Sequence, residues 1–568
     1  MGVTPFDPDR YVGTITQVDP DSARANLPFA AGTPEGRPSI RGGVGEFVFV
    51  ECEPYALFGR IVEVRLPDRD RLAVEPALGK EQQAHPIGSI RLLTSLHVVD
   101  RRLARGLATH PRIGDRVFLA HPELVAWMVG EEADGAEPGD AKTISVGEVA
   151  TARHASVRAV PEKLFGRHCG ILGTTGSGKS WTIAHLSEEV RRHGGKAILF
   201  DASGEFHTLL NVDRHFALGK PERSFEIELS FSYRIMTEED LFTLFRPSGS
   251  SQGPKLREAM RSLRLVEALD GQHRAGVVIT DGCVVKQNKS KEAFAAAIAE
   301  NSDAVNLPYC NFDIQRLSSQ IDNECVWATS KNSDAAWGFA NEQEKGYCAT
   351  LMSRIDSIIH AQELHCVFQS NASPIDSVVT ALCTDSSLRV VRITMEHLSF
   401  QHHAREIIAN AIGRRLLSMA RESKFRDLPM IVILDEAHQF LNKTFGDEFT
   451  STHLDAFGLI AKEGRKYGLT CVLATQRPGD IPNDVLSQLG TLIVHRLVND
   501  RDRQAVERAC GELDRSAVAF LPTLDQGEAI LVGADFPMPI PIKIQQPSSK
   551  PDSRGPDYQG TWENSPPG

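Results

Sequence analysis

The chain has 568 residues, too many for one ordinary domain, and its 41% hydrophobic and 24% charged composition is that of a folded, water-soluble protein with a sizeable core. A formal net charge of -12 excludes a broadly basic surface for nucleic acid, so any DNA contact must be local. Ten scattered cysteines with no C-x-x-C pair argue against a zinc site or a disulfide framework and fit a reducing cytoplasm; no secretory signal and no membrane-spanning apolar run is read, so no membrane partner is expected.

Residues 1–155 read as a small N-terminal β-barrel domain. Alternating runs such as GEFVFVE (45–51), GRIVEVRL (59–66) and GDRVFLA (114–120) are separated by Gly, Pro and Asp clusters. The acidic stretch GEEADGAEPGD (130–140) reads as an exposed loop near the end of that domain. From about Phe165 the texture changes to continuous apolar runs: KAILFDA (196–202), MIVILDE (430–436), LTCVLATQ (469–476) and TLIVHRL (491–497). Strands of that kind belong in a parallel sheet covered on both faces, so 156–212 and 425–545 are assigned to an α/β core. Residues 213–424 are too long for a crossover connection and carry helical spacing in KEAFAAAIAE (291–300) and REIIANAIGRRLLSMARES (405–423). They are expected to be a mostly helical insertion. Residues 546–568, rich in Pro, Ser and Gly, read as a flexible C-terminal tail.

GTTGSGKS, Gly173 to Ser180, fits G-x-x-x-x-G-K-[ST] without a mismatch and lies between an apolar strand and a helix, where a phosphate-binding loop must lie. Backbone N–H groups of Gly173, Thr174, Thr175, Gly176, Ser177, Gly178, Lys179, Ser180 and Trp181 would cradle the phosphates of ATP. Lys179 would reach the β- and γ-phosphates, and the Ser180 hydroxyl would ligate Mg2+. IVILDEAH (431–438) ends an apolar strand in two adjacent carboxylates. Asp435 suits the metal shell and Glu436 suits a general base that polarises the attacking water, which points to an ATPase rather than a kinase. Gln476, at the end of the next strand in LATQRPGDIP (473–482), is placed to sense the γ-phosphate.

LFGRHCGILGTTGSGKS (164–180), LFDASGEF (199–206), LPMIVILDEAH (428–438), EGRKYG (463–468) and ATQRPGDIP (474–482) together resemble the HerA family of hexameric DNA translocases, within the FtsK-HerA group. The resemblance runs over about Leu164 to Val532. It implies a RecA-like P-loop ATPase core with a helical insertion and a small barrel, a homohexamer with nucleotide at each subunit boundary, and double-stranded DNA in the channel. By that resemblance Arg167 matches a nucleotide-site arginine, and Arg465 matches an arginine finger that reaches the neighbour's γ-phosphate, with Lys466 a second candidate. Asp201 and Glu205 match a recurrent pattern to which no role is assigned. Relatives work with a NurA-type nuclease or a SIR2-type effector, in DNA end processing or anti-phage defence; the alternative is a nucleotide-stabilised scaffold that controls an effector without moving DNA. Lys220, Arg223, Arg257, Arg261 and Arg264 are candidate DNA cations only, since charges at helical spacing usually form a solvated face.

Overall fold

The computed structural model describes residues 3–30, 42–66, 85–104, 106–130, 142–150, 155–331, 333–370, 372–398, 403–441, 443–445, 452–511, 513 and 515–553. The acidic stretch read as a loop falls almost wholly outside them. Two compact units result: Met1–His193 with Val472–Lys550, and Gly194–Cys471 with the residues from Pro551 on.

The first unit opens with β1 (Tyr11–Val18), β2 (Ser22–Asn26), β3 (Phe47–Cys52), β4 (Tyr55–Arg65), β5 (Ile87–His97), β6 (Arg102–Ala104) and β7 (Arg116–Leu119). Their order is β2-β1-β7-β3-β4-β5-β6, and β2 also pairs with β5. Six strands therefore close into a barrel, with β6 outside the ring. Closure leaves no exposed edges in that ring and turns alternate residues inward: Val12, Ala23, Val48, Val50, Leu57, Ile61 and Ile90 form its buried core. After the barrel come β8 (Ile144–Val149) and β9 (Ser156–Ala159), then β10 (Cys169–Leu172) and the helix Lys179–Arg192.

The second unit carries β11 (Lys196–Asp201), β12 (Arg214–Leu218), β13 (Ile227–Ser230), the hairpin β14 (Val278–Thr280) and β15 (Cys283–Val285), β16 (Ser373–Pro374), β17 (Val390–Thr394), β18 (Met430–Leu434), and the hairpin β19 (Lys443–Phe445) and β20 (Thr452–Leu454). Its parallel strands run β16-β13-β12-β17-β11-β18. The segment read as a helical insertion does hold long helices, among them Gly249–Leu269, Lys291–Glu300, Glu342–Ile359 and Ala404–Arg421. It also supplies β12, β13 and β17 to the sheet, which its sequence did not announce.

The chain returns through β21 (Leu469–Thr475), which begins in the second unit and ends in the first, followed by β22 (Thr491–His495), β23 (Glu528–Gly533) and β24 (Ile540–Ile544). Here β10 lies parallel between β21 and β22, with Ile171 opposite Ala474 on one side and Ile493 on the other. Beyond β22 the strands β23, β24, β8 and β9 pair antiparallel, so the expected parallel sheet is mixed on this side. The reading of 546–568 as a flexible tail needs correction for 546–553. Pro547, Ser549 and Pro551 are buried in alternation, and the Ser548 N–H donates to Glu188 Oε2 at 2.9 Å. Proline and serine leave this stretch little helical choice, but neighbouring surfaces hold it extended. No helix among the described residues is long and apolar enough to cross a membrane.

The strand VVRIT of β17 shows why part of the sheet was hidden. Arg392 at its centre is fully buried, with Nε donating to Asp201 Oδ2 at 2.6 Å and Nη1 to Glu226 Oε1 at 3.0 Å. His215 on β12 is held neutral by burial and then by the Arg392 charge, its pKa lowered to about 4. A buried guanidinium between two carboxylates is expensive to break on one side only. Arg392→Met should therefore cost about 3–5 kcal/mol of stability, measured by denaturant unfolding, whereas an exposed arginine such as Arg257→Met should cost under about 1 kcal/mol.

Candidate nucleotide site

The loop after β10 is shaped by its glycines. Gly176 and Gly178 have φ of 73° and 119°, and a Cβ on Gly178 would stand 3.0 Å from Gly527 Cα. Gly178 therefore meets two demands at once, a left-handed backbone and close approach to a second backbone. The outer strands brace this loop. The Thr174 N–H and hydroxyl both donate to Arg496 O, at 2.9 and 3.1 Å, the Gly173 N–H donates to Thr475 O at 3.2 Å, and the Gly527 N–H donates to Ser177 O at 2.9 Å. Lys179 is buried with Nζ 3.1 Å from Thr174 O, which also accepts from Ser177 Oγ at 2.6 Å. Thr175 Oγ1 donates to Gln476 Oε1, so the structure brings the loop and the predicted sensor together. Ser180 and Trp181 are half-buried in the first turn of the following helix, at the dipole-positive end that favours an anion.

His495 is a residue that the sequence reading passed over. Its Nδ1 lies 2.9 Å from Glu528 O, and its Nε2 lies 2.8 Å from Thr182 Oγ1. A carbonyl can only accept, so Nδ1 carries the proton and Nε2 accepts from the threonine. Burial holds this ring neutral, its pKa lowered to about 4. The signal was available: a histidine at the end of the apolar run TLIVH, one residue beyond Val494, which pairs with Leu172 just before the loop.

In the second unit β18 ends at Asp435, which is buried, and at Glu436, which adopts a left-handed φ of 48°. The Asp435 N–H donates to Phe200 O at 3.2 Å, and Ser203 Oγ donates to its Oδ2 at 3.4 Å. Burial, then the charges of Asp201, Glu436 and Glu205, hold the Asp435 carboxyl well above the usual carboxylate range. His438 Nδ1 is 3.2 Å from Glu436 Oε2. Asp201 acquires a structural role: besides pairing with Arg392 it accepts from the Gly204 and Phe206 N–H groups at 2.7 and 3.0 Å, which fixes the DASGEF turn and with it Glu205.

Other predicted residues lie elsewhere. Arg167 precedes β10, so it stands at the sheet edge opposite the phosphate loop, where its Nε is 3.4 Å from Asp535 Oδ2. Arg465 lies in the short helix Gly464–Tyr467, is exposed, and makes no hydrogen bond or ion pair through its guanidinium among the described residues. Lys466 beside it is also exposed. Of the candidate DNA cations, Arg223 is paired with Glu226 and Glu396, Arg257 with Glu238, and Arg264 is buried against Glu238. Lys220 and Arg261 are exposed.

The neutral His495 gives a pH signature. Its folded pKa lies below the free value, so as pH falls from about 6.5 to about 4 the unfolded chain takes up the proton first. The stability this ring contributes is complete above about 6.5 and is lost across that window. His495→Gln should flatten the fall in Tm between those pH values relative to wild type and should raise the KM for ATP roughly threefold or more, through a loosened loop.

Two family profiles match: that of the helicase HerA central domain over residues 144–317, and that of the helicase HerA-like C-terminal domain over residues 421–535, together about half of the chain. The DNA double-strand break repair helicase HerA of Saccharolobus solfataricus is 27% identical over 403 residues, covering 70% of this chain and 68% of the relative. A probable helicase of Methanocaldococcus jannaschii is 22% identical over 89% of this chain and 86% of its own. Among solved structures, the bacterial conjugative coupling protein TrwBdeltaN70 aligns over 77% of this chain and 94% of its own at 14% identity and a TM-score of 0.45. VirB4 of Thermoanaerobacter pseudethanolicus aligns over 72% and 98% at 14% identity and a TM-score of 0.40. With its phosphate loop, its Asp-Glu strand end and its β-barrel, the chain belongs to the HerA family of helicase ATPases.

Proposed function

We propose that this protein is an ATP-driven translocase on double-stranded DNA that works as a homohexamer with a companion nuclease or SIR2-type effector, in DNA end processing or anti-phage defence. The observation that carries the motor reading is the combination of a braced phosphate loop with Glu436 beside Asp435, since a protein that only binds nucleotide has no need of a base for water. In this reading the loop Gly173 to Trp181 lines the phosphate site. The N–H groups of Gly173, Thr174 and Ser177 donate to Thr475 O, Arg496 O and Thr174 O, so these three do not cradle a phosphate in the way the sequence had suggested. Lys179 neutralises the β- and γ-oxygens. Gln476, already joined to Thr175, reports the γ-phosphate. Ser180 and Asp435 are hard oxygen donors that fit Mg2+, and the crowding of Asp435 by Asp201, Glu205 and Glu436 is relieved by a divalent cation. A metal held there would supply charge for the phosphoryl group, and Glu436 would take the proton of the attacking water.

Arg465 acts on a neighbour's nucleotide, as its exposed, unengaged guanidinium allows. Arg167, at the sheet edge away from its own phosphate loop, serves a nucleotide only from an adjacent subunit. The names of the curated relatives, helicases of double-strand break repair, support duplex DNA as the track. Phosphate contacts suit a motor that must hold any sequence.

Steady-state hydrolysis tests this. Wild type should be stimulated strongly by blunt linear duplex and weakly by single strands, with Lys179→Ala as the blank; a rate indifferent to DNA would overturn the motor. Glu436→Gln should retain ATP binding and lose turnover by about 10²-fold or more, and effector activity surviving in that variant would move the weight to a scaffold. Arg465→Ala should lose about 10³-fold in turnover, and mixing it with Lys179→Ala subunits should restore part of the rate, because one boundary in a mixed ring then has both an intact loop and an intact finger.

A further inference from the structure

We infer that the C-terminal segment after β24 is a wall of the nucleotide site, and that Lys550 is a further cation for the ATP phosphates. The inference rests on the reading of Gly173 to Ser180 as the ATP loop. The segment is guided onto the phosphate-loop helix by a chain of contacts. Ser145 Oγ donates to Gln545 Oε1 at 2.8 Å, Pro547 and Ser549 are buried, and the Ser548 N–H donates to Glu188 Oε2 at 2.9 Å. Lys550 then places its ammonium 5.3 Å from the centre of the Trp181 ring.

Trp181 and Glu188 are seven positions apart, so they lie on one face of the helix, and the segment runs along that face from its third turn back toward its N-terminus. Helical side chains lean toward the N-terminus, which carries the Trp181 ring over the first turn, the place where the phosphates bind. Trp181 follows Ser180 directly. The ammonium of Lys550 is thus parked at the mouth of an anion site rather than on open surface. A charge-assisted bond to phosphate is among the stronger bonds a lysine makes, so a triphosphate seated on the first turn is a fit acceptor for this ammonium. The loop glycines and Lys179 would hold the phosphates, and this segment would add a second charge beside Trp181. Nothing in the motif G-x-x-x-x-G-K-[ST] calls for it.

The experiment uses the full chain. Steady-state ATPase kinetics and the tryptophan emission change on ATP addition are compared for wild type, Lys550→Gln, Lys550→Arg and Trp181→Phe, with Lys179→Ala as the blank for nucleotide binding. Lys550→Gln should raise the KM for ATP roughly three- to tenfold with kcat changed less than about twofold, and Lys550→Arg should restore KM. ATP should change the emission of wild type, and Trp181→Phe should remove most of that change, although four other tryptophans remain. Lys550→Gln with wild-type KM, in a protein whose wild type binds ATP, would overturn the inference and leave the loop reading standing. A wild type indistinguishable from Lys179→Ala in nucleotide binding would overturn both. A rise in KM that Lys550→Arg does not reverse would assign the effect to packing and overturn the role of the charge.

Discussion

A loop that offers its backbone N–H groups to an anion cannot also spend them on itself, so its shape has to be enforced from behind. Here the enforcing surface is the end of β22 and the turn before β23. Arg496 O accepts twice from Thr174, Gly527 lies against Gly178 and donates to Ser177, and His495 ties Thr182 to Glu528 O. The loop is then preorganised for the anion, and little of the binding energy is lost in ordering it. It also explains why His495 must stay neutral: a protonated ring could not accept from Thr182 and would place a charge beside Lys179.

The second unit solves a related problem with opposite signs. β11 and β18 end in carboxylates, and buried like charges repel unless something answers them. Asp201 is answered inside the fold by Arg392 and two backbone N–H groups, so it stays with the structure. Asp435 has no such partner in Arg392, and in the proposed function it meets a cation from outside. On that proposal two aspartates at the ends of adjacent strands divide into a structural one and a chemical one according to the donor each faces. Sequence spacing alone could not make that division.

What was legible in the sequence follows the same line. Local chemistry was readable: the glycines and lysine of the phosphate loop, the Asp-Glu strand end, and the apolar runs of β10, β11, β18, β21 and β22 fell where the patterns put them. β17 was hidden because its central Arg392 breaks an apolar run, and only a tertiary partner makes a buried arginine tolerable. β12 and β13 were hidden because RHFAL and IELS mix charged and polar residues into so few positions that no continuous apolar run shows. Residues 546–553 misled for a further reason. Proline and serine composition reports that a segment will not fold by itself, and says nothing about a groove waiting for it.

The placement of the exposed arginines bears on why a ring would be needed. Arg465 has no acceptor among the described residues of its own chain, and Arg167 stands at the opposite sheet edge from the loop it precedes in sequence. A guanidinium kept exposed and unpaired gives the monomer no stability, whereas one that meets a neighbour's γ-phosphate acts only when two subunits and a nucleotide are together. On the proposed function hydrolysis would be conditional on assembly, because the charge that would complete the transition state would be stored on another chain. In the proposed motor this conditionality would have a direct mechanical use: each turnover would be tied to the boundary between two subunits, where relative movement can be passed on, and an isolated chain would not consume ATP idly.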